Sequence, residues 1–180
     1  VSGLKNKKEK YWPANLQLMA KDILRVHATI WPAILLALGK KLPKTIFVHG
    51  FFTVNGQKMS KSLGNVVDPK YLSEKYGVDS LRYYLLKNLP FGEDGNFNEK
   101  RLKDSLNNEL ANDLGNLVNR TLTLCEKFFN GKISKQKNDE LIKKLNLDKI
   151  QKQMNNYDLH NALEEIWKFI RGSNKYVNDK

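Results

Sequence analysis

A long run of apolar residues at helical spacing dominates the second half of the chain. It begins after Asn98 and ends at Gly131, and its members are Leu102, Leu106, Leu110, Leu114, Leu117, Leu122, Cys125 and Phe129. Residues three or four apart share one face of an α-helix, so this run predicts a long helix that packs along one side. Weaker apolar patterns over residues 141–154 and 159–170 predict two more helices. Together they indicate an antiparallel helical bundle.

The first half of the chain has shorter patterns. Residues 16–19 and 45–48 predict two strands, and a helical pattern lies between them. We expect Asp22 to cap this helix, Pro32 to kink it or to start a second segment, and Gly39 to end it. Its apolar positions are Ile23, Val26, Ile30 and Ile34. The order of strand, helix and strand predicts a parallel βαβ unit, so the expected fold class is α/β followed by all-α.

The charge of the chain is strongly positive. The formal net charge is +12 and the isoelectric point is about 9.6, which favours polyanionic partners. A proteome rich in lysine and asparagine would give the same excess, and this alternative stays open. No acidic residue lies between Asp22 and Asp68, whereas this interval holds six lysines and arginines. A locally positive region there would attract the phosphates of ATP or RNA.

The cysteine content and the length of the apolar runs exclude some classes of protein. Cys125 is the only cysteine, which excludes an intrachain disulfide and a cluster of thiolates around zinc. The longest apolar candidate for a membrane span, residues 30–38, is too short and contains a proline. We therefore expect a cytoplasmic protein with no membrane partner and no metal site in these residues.

A short basic motif separates the two halves. Lys58 and Lys61 are three residues apart, have serines beside them and precede Gly64. Two ammonium groups at this spacing can bind one polyphosphate, and hydroxyl and backbone N–H groups add donors. A short charge run is also typical of a solvated surface loop, which is the competing interpretation.

This motif resembles the KMSKS loop of class I aminoacyl-tRNA synthetases, and its surroundings resemble the methionyl-tRNA synthetase family. The resemblance is strong over about residues 16–95 and continues more weakly to the C-terminus. The strings that carry it are Lys21-Asp22-Ile23-Leu24-Arg25-Val26-His27, Trp31-Pro32-Ala33, Phe47-Val48-His49-Gly50, Thr53-Val54-Asn55-Gly56, Lys58-Met59-Ser60-Lys61-Ser62-Leu63-Gly64-Asn65-Val66-Val67-Asp68-Pro69 and Asp79-Ser80-Leu81-Arg82-Tyr83-Tyr84-Leu85-Leu86.

The resemblance implies three regions. Residues 1–50 would be the end of a Rossmann-type catalytic domain. Residues 51–95 would hold the KMSKS loop and a connecting region that contacts the tRNA stem. Residues 96–180 would form a truncated anticodon-binding bundle. The family's first nucleotide motif and its zinc-binding insert would lie upstream of residue 1. The resemblance therefore implies a fragment that lacks parts of its own polypeptide and is inactive alone.

The resemblance also implies a set of ATP-binding residues, namely Asp22, His49, Phe52, Lys58, Ser60 and Lys61. Asp22 would accept hydrogen bonds from the ribose, and His49 and the Phe52 backbone would lie near the adenine. Gly50 would let the nucleotide approach the main chain. Lys58 and Lys61 would be the catalytic residues, because activation of a carboxylate needs charge neutralisation on the leaving pyrophosphate and no general base.

Two smaller groups of residues are implied in the same way. Ile23 and His27 would wall the methionine pocket, although a lone histidine on an apolar helix is often a core residue. Asn116 and Arg120 would read anticodon bases, whose exposed edges suit amide and guanidinium groups. They extend an i, i+4 series that includes Asn108 and Asn112 and that would otherwise be a solvated polar face.

The implied function is ATP-dependent ligation of methionine to its tRNA through methionyl-adenylate. The implied substrates and partners are ATP with Mg²⁺, methionine and methionine tRNA. Two alternatives remain. One is another class I synthetase, such as the leucine, valine or cysteine type, and the other is a non-catalytic tRNA-binding fragment.

Overall fold

The computed structural model describes residues 11–88, 90, 92–133 and 139–179, with the main chain alone for residues 139 and 140. The described residues fall into two compact units. The first lies within Val1–Phe52 and Phe91–Gly95, and the second within Thr53–Pro90 and Asn96–Lys180. No helix among the described residues is long and apolar enough to cross a membrane.

Two parallel strands form the sheet of the first unit. Strand β1 is Gln17–Ala20 and β2 is Ile46–His49. Their register places Ala20 opposite His49. Parallel pairing needs a crossover connection, and the helical residues between the strands supply it. The predicted strand, helix and strand are therefore confirmed, with each strand displaced by one residue.

The crossover is not one regular helix. It contains a 3₁₀ turn at Lys21–Ile23, a π-helical turn at Val26–Ile30 and the helix α1 at Trp31–Ala37. Pro32 lies in the first turn of α1. Proline has no N–H to donate to the preceding turn, so the helix restarts there, as expected.

The ends of the crossover give one confirmation and one correction. Gly39 follows α1 with a φ of 62°, which suits glycine and agrees with the prediction. The predicted capping role of Asp22 is wrong. The residue before the 3₁₀ turn is Ala20, no side chain caps the turn, and Asp22 lies inside it.

A small sheet contains three short strands. These are β3 at Phe52–Val54, β4 at Gln57–Lys58 and β5 at Gly95–Phe97, with β3 in the centre. Asn55 and Gly56 join β3 to β4, and both have positive φ, as in a two-residue hairpin turn. The Asn-Gly pair alone predicts this turn, whereas residues 90–95 predict a loop and β5 begins at the last of them.

Two helices follow the KMSKS segment. Helix α2 is Pro69–Tyr76 and α3 is Val78–Asn88. An aspartate followed by a proline predicts a helix start at Asp68, and this is confirmed: its carboxylate accepts the Lys70 N–H at 2.8 Å, and proline occupies the first turn of α2. The sequence also predicts a cap at Asp79, but this residue lies in the first turn of α3. The core of this region consists of Leu72, Leu81, Tyr84, Phe97 and Leu102.

The long leucine pattern forms three consecutive helical segments. Helix α4 is Glu99–Ser105, a π-helical segment occupies Leu106–Gly115, and α5 is Asn116–Phe129. The Asn98 side chain accepts hydrogen bonds from two N–H groups in the first turn of α4. The helical prediction is therefore confirmed, while the π segment was not expected.

Three more helices complete the described chain. They are α6 at Asp139–Ile142, α7 at Leu147–Asn155 and α8 at Leu159–Asp179. The single helix predicted over residues 141–154 is wrong, because it is interrupted before α7. The Asn146 side chain accepts the Lys149 N–H at 3.0 Å and starts a new helix there. Helix α8 packs against α7, α3 and α5.

Candidate functional site

The carboxyl ends of β1 and β2 lie side by side. Because Ala20 is opposite His49, the residues that follow them, Lys21 and Gly50, lie at the same edge of the parallel pair. Ligands of open parallel sheets bind beyond this edge. Asp22 comes next in the chain and its side chain is exposed. The first unit thus places two of the expected nucleotide residues, Asp22 and His49, after neighbouring strands or at their ends.

The ring of His49 has a defined hydrogen bond. Its Nδ1 lies 2.8 Å from the carbonyl oxygen of Gly50. A carbonyl only accepts, so Nδ1 carries the proton in this contact and Nε2 is left as the second polar atom of the ring. Phe52, two residues beyond Gly50, lies in β3 with 38% of its surface exposed.

Gly50 is required by the protein's own main chain. The residue is buried, and a Cβ added there would lie 2.1 Å from the carbonyl oxygen of Glu93. No side chain fits at that distance, so the segment at Glu93 and Asp94 explains this glycine. The close approach of a nucleotide to Gly50, which the resemblance implies, stays a prediction beside this contact.

Asp94 joins this segment to both strand ends, and sequence reasoning missed it. Its carboxylate accepts the Phe51 N–H at 2.8 Å and forms two contacts with the Lys21 ammonium, at 2.7 and 2.9 Å. The pKa of the Asp94 carboxyl lies below its ordinary value. The hydrogen bond from the Lys21 ammonium lowers it most, and the hydrogen bond from the Phe51 N–H lowers it further. Asp94 is 73 residues from Lys21, so no local pattern could reveal the pair.

The two residues expected in the methionine pocket are neighbours. His27 Nδ1 lies 2.9 Å from the carbonyl oxygen of Ile23, one helical turn earlier. This bond fixes the proton on Nδ1 and leaves Nε2 available. Ile23 is 43% exposed, and His27 is half-buried. Their spacing of four residues predicts that they share a side of the helix, and the contact joins Ile23, at the end of the 3₁₀ turn, to His27 within the π-helical turn.

The KMSKS segment, residues 58–62, has a defined conformation. Lys58 ends β4, Ser60 is extended with a φ of −146° and a ψ of 136°, and Lys61–Leu63 forms a 3₁₀ turn that ends at Gly64. The side chains of both lysines are exposed. The Ser60 and Ser62 hydroxyl oxygens are 2.7 Å apart and share a hydrogen bond. The segment is therefore a folded turn that presents two cations to solvent.

The expected anticodon residues lie on α5. Asn116 and Arg120 are one α-helical turn apart and share a side of the helix. Asn116 is exposed, and Arg120 is half-buried and donates a hydrogen bond to the Asn178 side-chain oxygen of α8 at 2.5 Å. Asn108 and Asn112 lie in the π-helical segment, where hydrogen bonds span five residues. The i, i+4 series predicted for all four residues therefore applies only to the last two.

An ion cluster around the buried Lys87 in the second unit was not predicted. It consists of Tyr83, Lys87, Glu109, Glu164 and Arg171. Only 4% of Lys87 is exposed, and its ammonium contacts Glu164 and lies 3.4 Å from Glu109. The Tyr83 hydroxyl donates to Glu109 at 2.7 Å, and Arg171 lies 3.6 Å from the same carboxylate. The cluster thereby joins α3, the π-helical segment and α8.

The contacts within the cluster shift the pKa values of Tyr83 and Glu109. Burial raises the pKa of the Tyr83 hydroxyl, and its hydrogen bond to Glu109 raises it further. Burial favours the neutral form of Glu109, but hydrogen bonds from Ser105 and Tyr83 and the charge of Lys87 outweigh it. The pKa of the Glu109 carboxyl is therefore lowered. Every charge in the cluster has a partner, as buried charges require.

Curated relatives match this chain along nearly its whole length. The methionine–tRNA ligase of Caldanaerobacter subterraneus is 48% identical over 95% of the chain, and that of Thermotoga maritima is 46% identical over 94%. In both cases the chain spans 28% of the relative's length.

A solved structure and a family model agree with these relatives. Mycobacterium tuberculosis methionyl-tRNA synthetase in complex with methionyl-adenylate has a TM-score of 0.87 and 39% identity, and the match covers 97% of this chain and 36% of that chain. The family model described as tRNA synthetases class I (M) matches residues 2–122. The resemblance seen in the sequence is thus confirmed, and the chain belongs to the class I tRNA synthetases of the M family.

Proposed function

We propose that the protein carrying this sequence ligates methionine to tRNA through methionyl-adenylate, with MgATP as substrate. The observation that carries the proposal is the match of methionine–tRNA ligases over 94–95% of the chain, which includes the KMSKS segment. The folded turn with two exposed lysines supports it chemically. The division into residues 1–50, 51–95 and 96–180, and a cytoplasmic location, stay predictions alongside it.

The first chemical step is attack by the methionine carboxylate on the α-phosphorus of ATP. A carboxylate oxygen–phosphorus bond forms, the bond to the bridging oxygen breaks, and pyrophosphate leaves. The nucleophile is already anionic, so positioning and neutralisation of charge on the leaving group do most of the work. In this proposal Lys58 and Lys61 contact the leaving phosphates, and Ser60 shapes the turn between them.

The other expected residues bind and orient the substrates. Asp22 accepts from the ribose hydroxyls, while His49 and the Phe52 main chain lie against the adenine. Ile23 and His27 wall the methionine side chain, which needs an apolar surface with one placed polar group. The polar atoms that the structure leaves available, such as Nε2 of both histidines, are consistent with these roles.

The second step transfers methionine to the tRNA. We propose that the helices from residue 96 onward belong to an antiparallel anticodon-binding bundle, in which Asn116 and Arg120 read base edges. The net charge of +12 favours this polyanionic partner.

Amino-acid-dependent exchange of pyrophosphate into ATP tests the proposal. The full-length protein is assayed with methionine, leucine, valine and cysteine in parallel, and methionine alone should support exchange. Residues 1–180 expressed alone serve as the matched control and should give no exchange above a mock preparation.

Two results would contradict the proposal. Exchange with leucine, valine or cysteine in place of methionine would identify another class I synthetase. Binding of tRNA by the full-length protein without exchange for any amino acid would identify a non-catalytic RNA-binding protein.

A further inference from the structure

The side-chain amide of Asn65 binds two main-chain groups of the KMSKS segment. Its Oδ1 accepts the Ser60 N–H at 2.8 Å, and its Nδ2 donates to the Lys58 carbonyl at 3.1 Å. An N–H can only donate and a carbonyl can only accept, so the two partners fix which end of the amide is which. Asn65 is half-buried, whereas both lysines of the motif are exposed.

This pair of hydrogen bonds has the geometry of strand pairing. In a parallel ladder, one residue donates to the carbonyl before its opposite residue and accepts from the N–H after it. The Asn65 amide does the same on either side of Met59. The ladder between β3 and β4 ends with the pair Thr53 and Lys58. Asn65 therefore pairs with the extended chain from Lys58, the last residue of β4, to Ser60.

The rest of the turn closes on the same residues. The Leu63 N–H donates to the Ser60 carbonyl at 3.2 Å, and the Gly64 N–H donates to the Lys61 carbonyl at 3.2 Å. Gly64 has a φ of 63°, a conformation that glycine adopts at low cost and that returns the chain to Asn65. One short ring thus holds the main chain of both lysines, and the Asn65 amide is the side chain that closes it.

From this geometry we infer that Asn65 is a positioning residue for adenylate formation. It fixes the main chain from which Lys58 and Lys61 extend, so that both ammonium groups reach one leaving pyrophosphate without first ordering the turn. Asparagine suits this place because the site needs a donor and an acceptor in one planar group. Aspartate keeps only the acceptor and adds a negative charge beside the lysines, and alanine removes both bonds. The inference rests on the proposed function.

The test compares Asn65→Ala and Asn65→Asp with the unaltered full-length protein. Methionine-dependent pyrophosphate exchange should fall about 10- to 30-fold for Asn65→Ala, the scale expected for the loss of two hydrogen bonds at a preorganised site. The methionine KM and the thermal midpoint should stay near their original values. Asn65→Asp should also be slow, with the same methionine KM. Asn107→Ala, at an exposed asparagine of the π-helical segment, is the matched control and should behave like the unaltered protein.

A combined variant separates positioning from an independent effect. If Asn65 acts through the two lysines, adding Asn65→Ala to the pair Lys58→Ala and Lys61→Ala should slow exchange little further than that pair alone. Independent multiplication of the two losses would overturn the inference. So would full exchange activity in both Asn65 variants, or a fall in the thermal midpoint that accounts for the lost activity. Absence of exchange in the unaltered protein is a different failure, because it overturns the proposed function itself.

Discussion

The lysines of the KMSKS segment and Lys87 of α3 have the same side chain in opposite surroundings. Lys58 and Lys61 are exposed on a short folded turn, whereas 4% of Lys87 is exposed. The Lys87 ammonium lies among the carboxylates of Glu109 and Glu164 and the hydroxyl of Tyr83. Both regions lie in the second unit, so the contrast comes from local surroundings.

This difference in exposure indicates which property, stability or activation rate, changes when each charge is removed. A buried ammonium with two carboxylate partners holds helices together, and its removal leaves those carboxylates poorly compensated. An exposed ammonium contributes little to folding, and its flexible stem lets it follow a ligand phosphate. The comparison therefore predicts that stability and activation respond to different lysines.

The largest expected effect is on stability, for Lys87→Met. Methionine keeps the apolar stem but removes the ammonium that Glu109 and Glu164 share, and Glu109 keeps only Arg171, at 3.6 Å, as a cation. The free energy of unfolding of the full-length protein should fall by about 3–5 kcal/mol, as measured by urea unfolding. The exchange activity of the folded fraction should stay unchanged. Lys149→Met breaks an ion pair with Glu165 in which Lys149 is 47% exposed, and it should cost less than about 1 kcal/mol. Equal losses for the two variants would break the comparison.

The next effect is on catalysis, for Lys61→Ala. The activation barrier should rise by about 2–4 kcal/mol, the scale of one preorganised donor, while the unfolding midpoint stays the same. Methionine-dependent exchange and thermal unfolding measure the two quantities. Lys70→Ala is a suitable control, since Lys70 is an exposed lysine of the neighbouring helix. Unchanged turnover with only a higher methionine KM would contradict the assignment of Lys61 to the phosphates.

A third prediction concerns Arg120, which is half-buried and so lies between the exposed KMSKS lysines and the buried Lys87. Arg120→Ala should slow charging of methionine tRNA and leave adenylate formation nearly unchanged. Loss of a base contact is worth about 1–3 kcal/mol of discrimination, measured against a tRNA with an altered anticodon. Asn178→Ala removes the partner of Arg120 within the protein and should have the smaller effect. If Arg120→Ala slows both tRNAs equally, Arg120 is a phosphate contact or a packing residue.

The smallest effect is the pH dependence of stability that comes from the ion cluster around Lys87. The pKa of Glu109 is lowered in the folded protein, so its contribution to stability is complete above its unfolded pKa of about 4.3. That contribution is lost as the pH falls through the folded pKa. The thermal midpoint of the unaltered protein should therefore approach that of Glu109→Gln between neutral pH and strongly acidic pH. A constant difference between the two proteins over this range would show that Glu109 titrates as it does in the unfolded chain.

The sequence predicted those parts of the fold that depend on local patterns. The two parallel strands follow from short apolar runs, and the start of α2 follows from an aspartate before a proline. The turn at Asn55 and Gly56 follows from the preference of these residues for positive φ. The spacing of Ile23 and His27 likewise placed them together.

The remaining features depend on partners that are distant in the sequence. Lys87 meets Glu164 across 77 residues, and Lys21 meets Asp94 across 73. The burial of Gly50 against Glu93 has the same origin. The break before α7 depended on competition between helix continuation and capping by Asn146, which spacing alone cannot decide. None of these contacts produces a periodic pattern of residues in the sequence.

The π-helical segment Leu106–Gly115 has a consequence for changes in chain length. Leucines four residues apart drift around an α-helix by about 40° per step, and a wider turn removes that drift. A π segment holds more residues than the same length of α-helix, so deletion of one residue there can be absorbed by rewinding to α. The same deletion in α5 between Asn116 and Arg120 would rotate the following residues by about 100° and turn Arg120 away from its present side. We therefore expect single-residue deletions to be tolerated in the π-helical segment and to disrupt the protein in the first turns of α5.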